Sequence, residues 1–331
     1  MKKISAIFGV FAISLAMLIF AGCASTSTGP ASTGTAVQPQ KSPDEIVKEG
    51  ISKLSELKSA KFNMSMKSDI KDPKTGDNKL DLSLSGLADF KDMKAPKLVM
   101  KLDGSVSNKE LAGASASAEV RIDTDLANFN VSKFEVKDQP LPKELTTLFN
   151  KWWFVKIPAK TMEEITKSAE KGGTEEISAE QEKMVKMLNE ANIFSKPVLV
   201  GTEDVMGEPS WHYTVTLDKK SFTALALKAS EEQGSALSEE EAKKFEEQMQ
   251  KMDISGDIWV GSTSGIANQF KANVKLTGTA EEQSGTMSIS MAIGDINKAL
   301  SVEKPAGAEE FTEEKMMPLM MMFYGGGLPV Q

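Results

Sequence analysis

The sequence predicts an α+β fold built on one large antiparallel sheet of about ten or eleven strands, with helices set between the strand groups. Three observations predict it. Apolar residues alternate with charged or hydroxyl residues over most of the chain. Turn-forming Pro, Gly and Asn fall between these runs, as at 72–78 and at Ala95-Pro96. A few stretches instead place apolar residues three or four apart, which is the period of a helix lying on a core. A sheet this large twists and curls, and its apolar side needs helices to cover it.

The chain starts with Lys2 and Lys3, an apolar run from residue 4 to residue 20, and the small residues Ala21-Gly22-Cys23. That order is the order of a secretory signal, and the run is shorter than the roughly 20 apolar residues a membrane-crossing helix needs. Phe20-Ala21-Gly22-Cys23 resembles a lipobox, with Phe20 where Leu is usual. The resemblance implies cleavage between Gly22 and Cys23 and a diacylglyceryl group on Cys23, the single cysteine of the chain. Residues 24–41, almost all Ser, Thr, Gly, Ala, Pro and Gln, bury too little apolar surface to fold and read as a flexible tether. Residues 1–22 are thus expected as leader, 23–41 as acylated cysteine and tether, 42–310 as the folded domain and 311–331 as a tail.

Ser42-Pro43-Asp44-Glu45 is a helix start, with a capping Ser, Pro in the first turn and Glu at the third position. Val47, Ile51, Leu54 and Leu57 form the apolar stripe of a helix to about Lys58. The period then becomes two: Phe62, Met64, Met66 and Ile70; Leu80, Leu82, Leu84 and Ala88; Leu98, Met100 and Leu102; Ala114 to Ile122; and Phe129 to Val136. Five such runs in succession predict a meander of half-buried strands. A short helix from Pro142, a strand at 152–157 and two capped helices within 161–192 come next. Strands return at 198–205 and 211–217. Helices at about 219–230 and from Ser238 precede three last strands at 254–260, 270–276 and 287–293.

The second half carries a family resemblance. Val200-Gly201-Thr202-Glu203-Asp204-Val205-Met206-Gly207 with Trp211 to Leu217, and Asp257-Ile258-Trp259-Val260 with Thr263-Ser264-Gly265-Ile266, are similar to the paired strands and the W-[IV]-D-x-x-T-G hairpin of the LolA/LppX superfamily of envelope lipoproteins and lipoprotein carriers. Gly261 stands where that hairpin has Asp. Gly294-Asp295-Ile296-Asn297-Lys298 resembles the family's last strand and exit. Over about 44–310, the resemblance implies a half-barrel whose concave face is covered by helices and accepts acyl chains in several relatives.

Function classes narrow by inventory. Without residues 1–22 the chain has 37 basic and 47 acidic side chains, a net charge of −10, which argues against nucleic acid as a partner. His212 is the one histidine, and the strand alternation sets it opposite the apolar Trp211, Tyr213 and Val215. With no G-x-S-x-G elbow, P-loop or dinucleotide fingerprint, no catalytic residue, metal site or cofactor is expected. The expected function is binding of a lipid or other hydrophobic molecule by a protein anchored through Cys23 to the outer face of a membrane in the cell envelope. The lining expected for that ligand is Leu98, Met100, Leu102, Val120, Ile122, Met287, Ile289 and Met291. The alternative is a structural or sensory lipoprotein with a closed core and a protein partner in the envelope. The tail holds Met316, Met317, Met320, Met321 and Met322 beside Leu319 and Phe323, side chains that fill irregular apolar gaps.

Overall fold

The computed structural model describes residues 41–73, 76–89, 91–92, 95–109, 113–158, 193–232, 237–278, 283–312 and 315. The leader, most of the tether, the two helices expected within 161–192 and the Met-rich tail lie outside the described residues.

Helix α1 (Pro43–Ser52) begins as the sequence predicts. Ser42 Oγ accepts from the Glu45 N–H, and the Glu45 carboxylate accepts from the Ser42 N–H at 2.9 Å. It ends sooner than expected, passing into a 3-10 turn at Lys53–Glu56. Strands β1 (Ser59–Asp72), β2 (Gly76–Asp89), β3 (Lys97–Ser107), β4 (Ala114–Asp123) and β5 (Leu126–Val136) form the expected meander. Helix α2 (Lys143–Thr146) and strand β6 (Trp153–Lys156) come next. Strands β7 (Phe194–Val205) and β8 (Glu208–Leu217) are followed by helices α3 (Lys219–Glu232) and α4 (Glu239–Gln250), the latter capped by Ser238 and Glu241 in a second capping box. Strands β9 (Met252–Gly261), β10 (Ala267–Leu276), β11 (Ser284–Gly294) and the two-residue β12 (Glu309–Glu310) complete the chain.

All twelve strands join one open sheet in the order β12-β6-β5-β4-β3-β2-β1-β11-β10-β9-β8-β7, one or two strands more than expected. Every pair is antiparallel except β12 with β6. The two meanders meet where β1 pairs with β11, so the first long strand lies mid-sheet.

The register keeps side-chain parity across the sheet. One row runs Ala118, Leu102, Leu84, Met64, Met291, Phe270, Ile258 and Tyr213 through eight strands. The row beside it, on the other face, runs Ser117, Asp103, Ser83, Ser65, Ser290, Lys271, Asp257 and Thr214. A side chain alternates faces with each residue, so this pairing collects an apolar face and a polar face from strands far apart in sequence.

The described helices cover only part of the apolar face. Ile46 and Val47 of α1 pack on Tyr213, Val215, Ile258 and Val260 at one end of β8 and β9. Phe222 and Leu225 of α3 and Phe245 and Met249 of α4 pack at the other end, with Met252, Val274 and Leu276. A third cluster, Leu57, Phe62, Met291 and Ile293, lies under the 3-10 turn. No described residue of β3, β4 or β5 belongs to these clusters.

The turn after β9 explains how Gly261 stands in the hairpin motif. The Glu208 carboxylate accepts from the N–H groups of Thr263 at 3.3 Å and Ser264 at 2.8 Å and from Ser264 Oγ at 3.2 Å. A Cβ on residue 261 would lie 2.4 Å from Glu208 Oε1. The acceptor for this turn comes from the neighbouring hairpin, and the missing side chain makes room for it.

Candidate functional site

The eight residues expected to line a ligand share the apolar face. Leu98 pairs with Ile122, and Met100 with Val120, across β3 and β4. Met287, Ile289 and Met291 stand on β11, three strands from β3, or about 14 Å at the usual strand spacing. Seven of the eight are half-buried. Met291 differs: it is 9% exposed and packs with Phe62 and Ile293. Over β2 to β5 the structure therefore presents a half-buried apolar surface, continuous by register with the covered core.

Two hollows of ligand size lie on the polar face instead. One, of about 790 Å³, is lined by residues including Lys67, Asp69, Asp253, Lys275 and Ser288, and also by Met287, one of the eight expected to line a ligand. The other, of about 600 Å³, adds Lys79, Asp81, Ser105, Glu135 and Lys137, and the two share Lys67, Ser68 and Asp69. Acidic and basic groups balance in both, and Lys67–Asp81 and Lys79–Asp69 pair at 3.0 and 3.4 Å. Such linings suit water and polar groups. An acyl chain placed there would leave these charges desolvated, so these two hollows do not suit one.

His212 lies on the polar face, as the alternation predicts, but it is far from idle. Its Nδ1 is 2.9 Å from Glu203 Oε1 on β7, and its Nε2 is 2.9 Å from Asp257 Oδ1 on β9. Both bonds together need the imidazolium, because a neutral ring carries one N–H. The ring stacks on Trp259 at 4.1 Å, Trp259 Nε1–H donates to Glu203 Oε2 at 3.1 Å, and Lys271 Nζ stands 4.7 Å over the indole. Trp259 is 2% exposed although its face is the polar one. The cluster ties β7, β8, β9 and β10 together. Glu203 stands diagonal to His212 because the β7–β8 register runs unbroken from Val205–Glu208 to Gly201–His212, and Asp257 comes from β9, a partner strand the sequence did not identify.

The Trp259 hydrogen bond and, behind it, the His212 contact hold the Glu203 carboxyl below the usual carboxylate value. Stability from a depressed acid is fully present above its unfolded value and is lost as pH falls through the folded one. Thermal melts between about pH 5 and pH 3 should therefore show a steeper acid loss for wild type than for Glu203→Gln. Equal slopes would show that the cluster contributes nothing to acid sensitivity.

Cys23 and Gly22 lie outside the described residues. Among the described residues, no helix is long and apolar enough to cross a membrane, and no group of three or more His, Cys, Asp and Glu side chains is placed to hold a metal ion.

No family model matches the chain, and no curated protein does. Solved structures do. The chain is similar to lipoprotein LppX of Mycobacterium tuberculosis, at 14% identity and a TM-score of 0.29, covering 79% of this chain and 98% of that one. It is similar to LprF from Mycobacterium bovis, at 7% identity and a TM-score of 0.33, covering 80% and 97%. It is also similar to the LolA-superfamily protein NE2245 of Nitrosomonas europaea, at 10% identity and a TM-score of 0.18, covering 77% and 94%.

Proposed function

We propose that this chain is a lipid-anchored protein of the cell envelope that binds a lipid or other hydrophobic molecule without catalysis. The observation behind it is the half-buried apolar face of β2 to β5, where Leu98, Met100, Leu102, Val120 and Ile122 stand together without a described helix over them. Burying a chain of about 16 carbons gains on the order of 12 kcal/mol against water, at about 0.8 kcal/mol per CH₂. A chain arriving from a bilayer was already out of water, so exchange with such a face is close to neutral. The lining suits that exchange, because aliphatic and thioether side chains repack without a fixed polar network. The lipobox-like Cys23 would keep the domain beside its source of lipid.

The test uses protein lacking residues 1–23, stripped of lipid and titrated with a fluorescent fatty acid or phospholipid. Uptake at micromolar concentrations is expected, with Met100→Asp and Ile289→Asp reducing it while circular dichroism shows a retained fold. His212→Ala, altered on the opposite face, should take up the probe as wild type does. Well-folded wild type that takes up neither probe would favour a closed-core lipoprotein that acts through an envelope protein, a reading to which the burial of Met291 already lends support.

A further inference from the structure

We propose that the larger hollow on the polar face, across β8, β9, β10, β11 and β1, is a second binding site and takes an uncharged saccharide chain. It is independent of the proposed lipid binding, which uses the other face.

The sheet folds over on its polar side along these strands. Five strand positions separate β7 from β1, about 24 Å in a flat sheet. Yet the turn between β7 and β8 reaches β11 and β1. A Cβ on Gly294 would lie 2.6 Å from the Met206 Cβ, and Asn63 Nδ2 is 3.9 Å from Met206 Sδ. Towards the other end of the same strands the space of about 790 Å³ opens, a volume of ligand size. The register builds its floor as a grid. Ser255 pairs with Asn273 and Asn273 with Ser288, and in the next row of the same face Asp253 pairs with Lys275 and Lys275 with Thr286. Neighbours within a row stand about 4.8 Å apart, and the rows about 7 Å apart. Thr216 continues the first row on β8 and Lys67 on β1, which makes the floor four strand spacings long, about 19 Å.

Among the described residues, the six side chains of the grid have no hydrogen-bond or ion-pair partner. Asp253 and Lys275 face each other in the register without forming an ion pair. In the neighbouring hollow the charges instead neutralise one another, Lys67 with Asp81 and Lys79 with Asp69. Donors and acceptors are thus held ready over this one floor. A sugar hydroxyl both donates and accepts, so it can answer a serine or threonine hydroxyl, a primary amide, a carboxylate or an ammonium in any order. Lys67 and Lys275 balance Asp69 and Asp253, so a polyanion or a polycation would meet as much repulsion as attraction. The strands β9, β10 and β11 are paired on both sides, which leaves no backbone group to hold a peptide strand. A floor about 19 Å long and two rows wide suits a chain of several sugars and exceeds what one small zwitterion can span.

The test uses residues 24–331 and three probes, hexasaccharides of glucose, mannose and galactose, with saturation-transfer NMR and calorimetry as readouts. At least one should bind. Asn273→Ala removes a donor and an acceptor from the middle of the grid and should weaken that binding about fivefold or more, the size of one lost hydrogen bond. Ser105→Ala, in the neighbouring hollow, should bind as wild type does. Both side chains are exposed, so circular dichroism should match wild type, and uptake of the fluorescent fatty acid should be unchanged in both variants. Phosphatidylcholine vesicles carrying a diacylglycerol glycoside of the bound sugar separate two sources. Tighter binding to them than to the free chain, weakened in Asn273→Ala, assigns the sugar to a lipid headgroup, and equal or weaker binding assigns it to a free polysaccharide. The proposal is overturned if no neutral hexasaccharide binds at about 10 mM, a concentration that reveals even weak sites. It is overturned equally if Asn273→Ala binds as tightly as wild type, or if hexalysine or a hexasaccharide of uronic acid binds more tightly than every neutral probe.

Discussion

Cys23→Ala is expected to abolish acylation and leave the leader uncut. Mass analysis of the wild type should find an N-terminus at a lipid-modified Cys23, and the variant should show neither that terminus nor the added mass. The effect is all-or-none because the chain has no second cysteine to take the modification. Each acyl chain contributes about 0.8 kcal/mol per buried CH₂, and two or more chains hold a protein to a bilayer where one does so only reversibly. Residues 24–331 exported behind an ordinary cleavable leader should accordingly move from the membrane fraction to the soluble one. An unmodified Cys23 in the wild type would remove the anchor from the functional reading.

Gly86→Ala is expected to destabilise the folded domain by about 3 kcal/mol, at the upper end for an overpacked site. Gly86 stands on the apolar face of β2 between Met100 and Phe62, where a Cβ would lie 1.8 Å from the Val99 carbonyl oxygen and 2.8 Å from its carbon. The obstacle is backbone, which cannot turn aside as a side chain would, so β2 and β3 must part in the middle of the candidate ligand face. A fall of roughly 5–10 °C in the melting temperature should result for a domain of this size. Gly201→Ala is the control, since a Cβ there meets nothing within 4 Å. Equal melting temperatures for the two variants would show that the close approach at Gly86 is not needed for the fold.

The sequence by itself determined the local structure and the parity of the strands. Ser42 with Glu45 and Ser238 with Glu241 fixed two helix starts, because a capping box is complete within four residues. The alternation through Leu98, Met100 and Leu102, and through Val120 and Ile122, placed these side chains on one face, because a strand's period of two needs no knowledge of its partners. The same reasoning set His212 on the other face. Which strand pairs with which was decided only in three dimensions. Alternation is identical at an edge and in the middle of a sheet, so β1 gave no sign that its second neighbour would be β11, more than 200 residues later. The β7–β8 register that brings Glu203 to His212, and the β8–β9 register that sets Asp257 on its other side, belong to pairs of strands and to no single one. Trp259 shows the limit most plainly. Its parity assigns it to the polar face, and only the stacking of His212, the bond to Glu203 and the approach of Lys271 bury it there. Coverage was equally beyond the sequence: a helix's apolar stripe tells that it packs, but not over which strands, and the described helices lie over β7 to β10, leaving the face of β2 to β5 half-buried.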